Sequence, residues 1–145
     1  MFYDTSTWYL SVVPVVIAIA ISLVANNKLS RTVSDLGGRI RTRQDLQPVK
    51  EAINLNKALA WTYIVVWLGQ LASVALCFLS GLTTFRGGVG HVFVFGVVTL
   101  PFGLWSKGVE KKFKGMAVEP DDPYVGQTWK RWLAEWRQPS LRVKE

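Results

Sequence analysis

Hydrophobic and charged positions are sharply segregated along this chain. Residues 5–27, 58–85 and 87–106 contain no Asp, Glu, Lys or Arg, and all ten acidic and all seventeen basic residues lie outside them. A helix rises about 1.5 Å per residue and a hydrocarbon core is about 30 Å thick, so about 20 apolar residues cross it. Each stretch supplies that length. Lipid offers no water to the backbone, so each crossing must be helical. The pattern therefore predicts an all-α integral membrane protein with spans over about 8–27, 59–80 and 89–106.

In the first span Val12, Val13, Val15, Val16, Ile17, Ile19, Ile21, Leu23 and Val24 leave almost no polar face, with Pro14 in the early turns and Asn26-Asn27 closing the run. A cleaved signal peptide requires a basic segment ahead of a shorter apolar core. Residues 1–7 hold Asp4 and no Lys or Arg, so this span reads as a retained helix. In the loop 28–57, Gly37-Gly38 breaks any helix. Pro48 is placed as the first residue of a new one, and Val49, Ala52, Ile53, Asn56 and Ala60 then recur at helical spacing, which predicts a helix running without a break into the second span. Gly87-Gly88-Val89-Gly90 reads as a tight turn between spans two and three. It lacks the Lys-Ser/Thr ending of a phosphate loop.

The tail carries a fourth element. Asp122 is placed as an N-cap with Pro123 at the first helical position, and Pro139 is a stop. Over about 123–138, Val125, Trp129, Trp132, Leu133 and Trp136 share one stripe, while Lys130, Arg131, Glu135 and Arg137 take the opposite face. Such a helix lies in a membrane interface or docks on a partner. The expected organisation is a transmembrane domain over 1–114 with a basic inner loop over 28–57, and a tail over 115–145. Nothing in this division leaves a segment long enough for an independent soluble domain, which argues against an enzyme.

Basic residues fix an expected orientation. Ahead of span one there are none, in 28–57 seven, between spans two and three only Arg86, and from Lys107 onward nine. The alternation matches three crossings with the basic loop and tail inside and the N-terminus outside. The net charge of +7 serves that topology and attraction to anionic headgroups. Arg39, Arg41 and Arg43 are read in that way, as lipid-facing cations, and not as a nucleic-acid site. The single cysteine, Cys77, can form no intrachain disulfide.

Candidate chemistry is sparse. His91 is the sole histidine. A membrane histidine can ligate the metal of haem or chlorophyll, with Phe93 and Phe95 to pack on a macrocycle. The plainer expectation is an interfacial histidine bonded to water or lipid. Gln70, Ser73, Ser22 and Thr99 can line a polar path or, more simply, bond between helices. Transporters carry intramembrane carboxylates or bases, and these spans hold none. Gly96 and Gly103, seven apart, predict a face on which another helix packs, in this chain or a neighbour.

These features point to a non-catalytic accessory or scaffold subunit of a larger membrane complex, with membrane lipids and other membrane-protein subunits as partners and the Trp-rich tail as its docking element. Two alternatives stand beside it. One is a pigment- or haem-binding subunit through His91. The other is a self-assembling pore: three spans, N-terminus outside and a basic tail inside resemble the general layout of one class of phage holins, in topology alone.

Overall fold

The computed structural model describes residues 5–119 and 122–143. Residues 1–4, whose lack of basic side chains enters the orientation argument, lie outside the described residues, as do 120–121 and 144–145. Among the described residues there are four α-helices: α1 (Tyr9–Asp35), α2 (Leu46–Leu79), α3 (Phe85–Lys114) and α4 (Pro123–Trp136). The first three are long and apolar enough to cross a membrane. A short 3-10 turn, Thr5–Thr7, precedes α1. Two-residue strands, β1 (Arg39–Ile40) and β2 (Ala117–Val118), pair in parallel, a small departure from an all-helical chain.

The helices outrun their apolar stretches. α1 continues to Asp35, α3 to Lys114, and α2 begins at Leu46, ahead of its expected start at Pro48. Pro48 then sits in the first turn, where no intrahelical partner is needed for its missing N–H. Loss of hydrophobicity does not end a helix; loss of backbone geometry does. α1 stops where Gly37 adopts φ 59° and the Gly38 and Gly37 amides donate to Val33 O at 2.8 Å and Ser34 O at 3.0 Å. That pair of bonds is the glycine-terminated C-cap. α2 ends the same way at Gly81, φ 73°, with Leu82 N donating to Cys77 O at 2.9 Å and Gly81 N to Phe78 O at 3.1 Å.

The link between α2 and α3 differs from expectation. Gly87, Gly88 and Gly90 are helical and buried, and the turn lies before them. Thr84 caps α3, its Oγ1 accepting from Gly87 N at 3.1 Å, which starts the helix two residues before the glycines. Their small size serves packing: a Cβ on Gly88 would fall 2.9 Å from Val74 Cγ1 of α2.

The chain forms two compact units, and α1, α2 and α3 each contribute a segment to both. One comprises Met1–Ser22 and Thr62–Leu104; the other comprises Leu23–Trp61 and Trp105–Glu145. They are called the histidine unit and the tail unit below.

The tail unit has a core of its own, contrary to the expectation that no soluble-type core exists. Leu29 of α1, Ile40 of β1, Val49 and Ile53 of α2, Phe113 of α3 and Val125 of α4 are all buried within it. The helix ends that outrun the apolar stretches supply most of these residues, so counting loops and tail separately hid the core. β1 and β2 tie the chain after α1 to the chain after α3, with Ala117 N donating to Gly38 O and Glu119 N to Ile40 O, both at 3.1 Å.

Candidate functional site

Trp129, Trp132 and Trp136 are 4%, 4% and 9% exposed, with Leu133 partly buried beside them. The stripe faces this chain's own core, and this corrects its reading as a lipid or partner surface. α4 starts where Asp122 accepts from Tyr124 N at 2.9 Å, with Pro123 at the first position. The Phe113 ring centroid lies 5.9 Å from that of Trp129 and 5.4 Å from that of Trp136. Lys114 sits 4.7 Å over Trp136 and also pairs with Glu110. An amphipathic helix hides its apolar face against whatever apolar surface is nearest, and here the stripe of Val49 and Ile53 on α2 lies in the same unit.

Sequence reasoning missed Lys57. It is 5% exposed, and its ammonium donates to Glu135 O at 2.7 Å, Ser140 Oγ at 2.8 Å and Gln138 O at 3.2 Å. All three ammonium protons thus meet acceptors around the C-terminus of α4, where the helix dipole favours a cation. The signal was present: Lys57 falls four residues after Ile53 and eight after Val49, on the buried face of α2.

The loop arginines also turn to the tail. Arg39 and Arg41 approach Glu119 at 3.4 and 3.3 Å, and Arg43 Nε donates to Asp122 at 2.7 Å. Each thus pairs with an acid of this chain while staying more than half exposed. The Arg43 guanidinium lies 4.8 Å over the Tyr124 ring. These side chains are well exposed, so the pairs contribute little stability and act mainly as a geometric tie. The hydrogen bond from Arg43, then that from Tyr124 N, holds the Asp122 carboxyl below the usual carboxylate range. Asp45 is held low in the same sense by the amides of Thr42 and Arg41, each donating at 2.9 Å.

Beside this tie lies a groove of about 380 Å³, lined by Arg43, Gln47 and Lys50 around the start of α2 and by Tyr124, Thr128 and Arg131 of α4. Cations from two parts of the chain therefore rim one concavity.

In the histidine unit His91 is fully buried. Its Nε2 lies 2.8 Å from Thr7 Oγ1 and its Nδ1 2.9 Å from Ser11 Oγ. The Ser11 hydroxyl donates to Trp8 O at 3.3 Å. In a neutral imidazole one of these ring nitrogens donates to its hydroxyl and the other accepts from its own. With both nitrogens engaged by hydroxyls and no exposed edge, His91 in this arrangement presents no lone pair to a macrocycle metal. It is likewise not the water- or lipid-bonded histidine expected.

Gln70 is the one fully buried residue between Trp61 and Leu79. Its amide donates to Leu10 O at 3.3 Å and to His91 O at 3.2 Å. The first acceptor has a plain origin: Pro14 has no N–H, so the Leu10 carbonyl four residues earlier is left without its helical partner. Gln70 Oε1 is buried with no partner. Tyr63 OH donates to Thr99 Oγ1 at 3.4 Å, and Thr99 donates to Phe95 O at 2.7 Å. Gly96 and Gly103 are exposed, and nothing lies within 4 Å of where a Cβ would stand on either. They do not pack within this chain, and Gly87, Gly88 and Gly90 hold the buried positions instead.

Among the described residues no group of three or more His, Cys, Asp or Glu is placed to hold a metal ion. Comparison with protein-family models, with curated proteins and with solved structures gives no match.

Proposed function

We propose that the chain is a non-catalytic subunit of a membrane-protein assembly, crossing the bilayer three times with its N-terminus outside and its basic tail unit inside. The observation that carries this reading is the state of α2. Over five turns of its apolar stretch only Gln70 is fully buried, while Val65, Leu68 and Leu76 are more than half exposed. Helices associate in lipid through close packing of a continuous stripe and through interhelical hydrogen bonds. Tyr63, Val66, Leu71, Val74 and Cys77 flank Gln70 half-buried on one stripe, and the remaining apolar faces of the span are left for a helix of another subunit. The polar side chains of the apolar stretches support a non-catalytic role, because His91, Thr99 and Asn26 bond to neighbouring hydroxyls and Gln70 to carbonyls. The same economy leaves little to line a pore.

The docking role passes from the tail tryptophans to α2. A photo-crosslinker at Val65 or Leu68, in native membranes, should join the chain to a second, different membrane protein. Adducts with lipid alone, or with another copy of this chain, would overturn the reading. A reporter fused after Glu145 should read out on the inner side.

A further inference from the structure

Within the histidine unit a groove of about 480 Å³ runs between α1, over residues 9–17, and α2, over residues 66–77. Gln70 is one of its lining residues and is 4% exposed. The Gln70 amide nitrogen is spent on Leu10 O and His91 O, while Oε1 is buried with no partner. A buried acceptor is normally satisfied, and inside a bilayer there is no water to do it. The vacancy therefore calls for a donor from outside the chain, brought in along the groove.

Depth and shape decide what carries that donor. Gln70 lies twelve residues beyond residue 58, where the charge-free stretch of α2 opens, and nine before Leu79, where the helix ends. At 1.5 Å per residue these separations are about 18 Å and about 14 Å, which sets Gln70 near the middle of a hydrocarbon core about 30 Å thick. The polar atoms of a glycerolipid stay at the interface, whereas a second helix presents a side chain at any depth. The groove also has the form a helix needs. It extends about 16 Å along α2, from Val66 to Cys77. Gly69, Ser73 and Cys77 recur along it every four residues, and nothing lies within 4 Å of where a Cβ would stand on Gly69. Such rows of small residues let two helix backbones come close. Leu76, on the exposed face of α2 assigned above to a partner, belongs to the same lining.

Resting on the subunit reading above, we infer that this groove seats one transmembrane helix of the partner subunit, and that a Ser, Thr, Asn or Gln side chain of that helix donates to Gln70 Oε1. A diazirine side chain at Val13, which lines the groove from α1 and is 51% exposed, should in native membranes join the chain to the same protein that Val65 and Leu68 reach. The attachment should fall on a single apolar span bearing such a donor. Gly69→Leu fills the groove and should reduce co-purification of that protein by about tenfold. Gly103→Leu, equally open but on α3 and outside the groove, should leave it within about twofold. Removing the donor from the partner by an apolar substitution should weaken the complex about fivefold, and should add nothing to the effect of Gln70→Leu. Adducts from Val65 and Leu68 with none from Val13 would leave the partner in place and overturn the groove as its seat. Adducts from Val13 with a lipid, a small molecule or a second copy of this chain would overturn it too, as would equal losses in the two glycine variants. Additive effects of the donor and Gln70 changes would overturn the hydrogen bond.

Discussion

Pro14 and Gln70 are 56 positions apart, yet one accounts for the other. A proline inside a lipid-embedded helix leaves a carbonyl that water cannot satisfy. Gln70 Nε2 reaches Leu10 O and repairs that loss across the helix interface. The expected consequence is non-additivity. Gln70→Leu alone should destabilise the protein by about 1 kcal/mol, in line with other interhelical hydrogen bonds in membranes. In a Pro14→Ala background the backbone amide gained at that position takes over Leu10 O, and the same change should cost less by about half. Thermal unfolding of the four variants in detergent closes the cycle. Equal costs in the two backgrounds would show that Gln70 does not serve the proline. The residue-level chemistry of His91 was not legible in the sequence for a similar reason. Its partners, Thr7 and Ser11, lie 80 or more positions away, and nothing in local spacing marks them.

Elements were legible to the extent that composition defines them. Three charge-free stretches locate three helices, because only a helix satisfies its backbone in lipid. Helix ends were not, since a helix leaving an apolar stretch needs no apolar signal to continue. The α4 stripe was visible as a stripe, but amphipathicity says that a face is covered and not by what. Val49, Ile53 and Lys57 form the matching stripe on α2, and reading the two together would have paired them. Lys57 gives a test of that pairing. Lys57→Met removes the charge-assisted bonds to Glu135 O, Gln138 O and Ser140 Oγ and leaves the two carbonyls with only their backbone donors, which should cost about 1–3 kcal/mol and raise hydrogen exchange in α4. Lys28→Met, which removes an exposed pair with Glu51 at 3.5 Å, should leave α4 exchange unchanged. The α2–α3 contact is tested at Gly88. Gly88→Ala forces Val74 Cγ1 to move from 2.9 Å, an overpacking cost of about 1–3 kcal/mol, and Val74→Ala should restore most of the lost thermal stability.

At the scale of the whole molecule the charges divide unevenly. The net charge of +7 resides in the tail unit, since Asp4 and Arg86 cancel in the other. Acidification therefore acts first on the tail unit, where the carboxylates that tie loop to tail sit among an excess of cations. Asp45 and Asp122 are both held below the ordinary value of 3.8 by the hydrogen bonds made in the folded chain. A carboxylate with a depressed folded value contributes stability that is complete above its unfolded value and disappears as pH falls through the folded one. These two groups therefore contribute their full stability at neutral pH and lose it progressively as pH falls through the ordinary value of 3.8 towards their lower folded values. Pepsin provides the measurement, because it is active in acid and cleaves at pairs such as Trp132-Leu133 once α4 leaves its core. Cleavage there should be slow at about pH 4.5 and accelerate below about pH 3.8, with Asp122→Asn already more susceptible at the higher pH and less responsive to further acid. Rapid cleavage of the unaltered chain at about pH 4.5 would mean that groups with ordinary or raised values hold α4 in place, and the tie through Asp122 would lose its role.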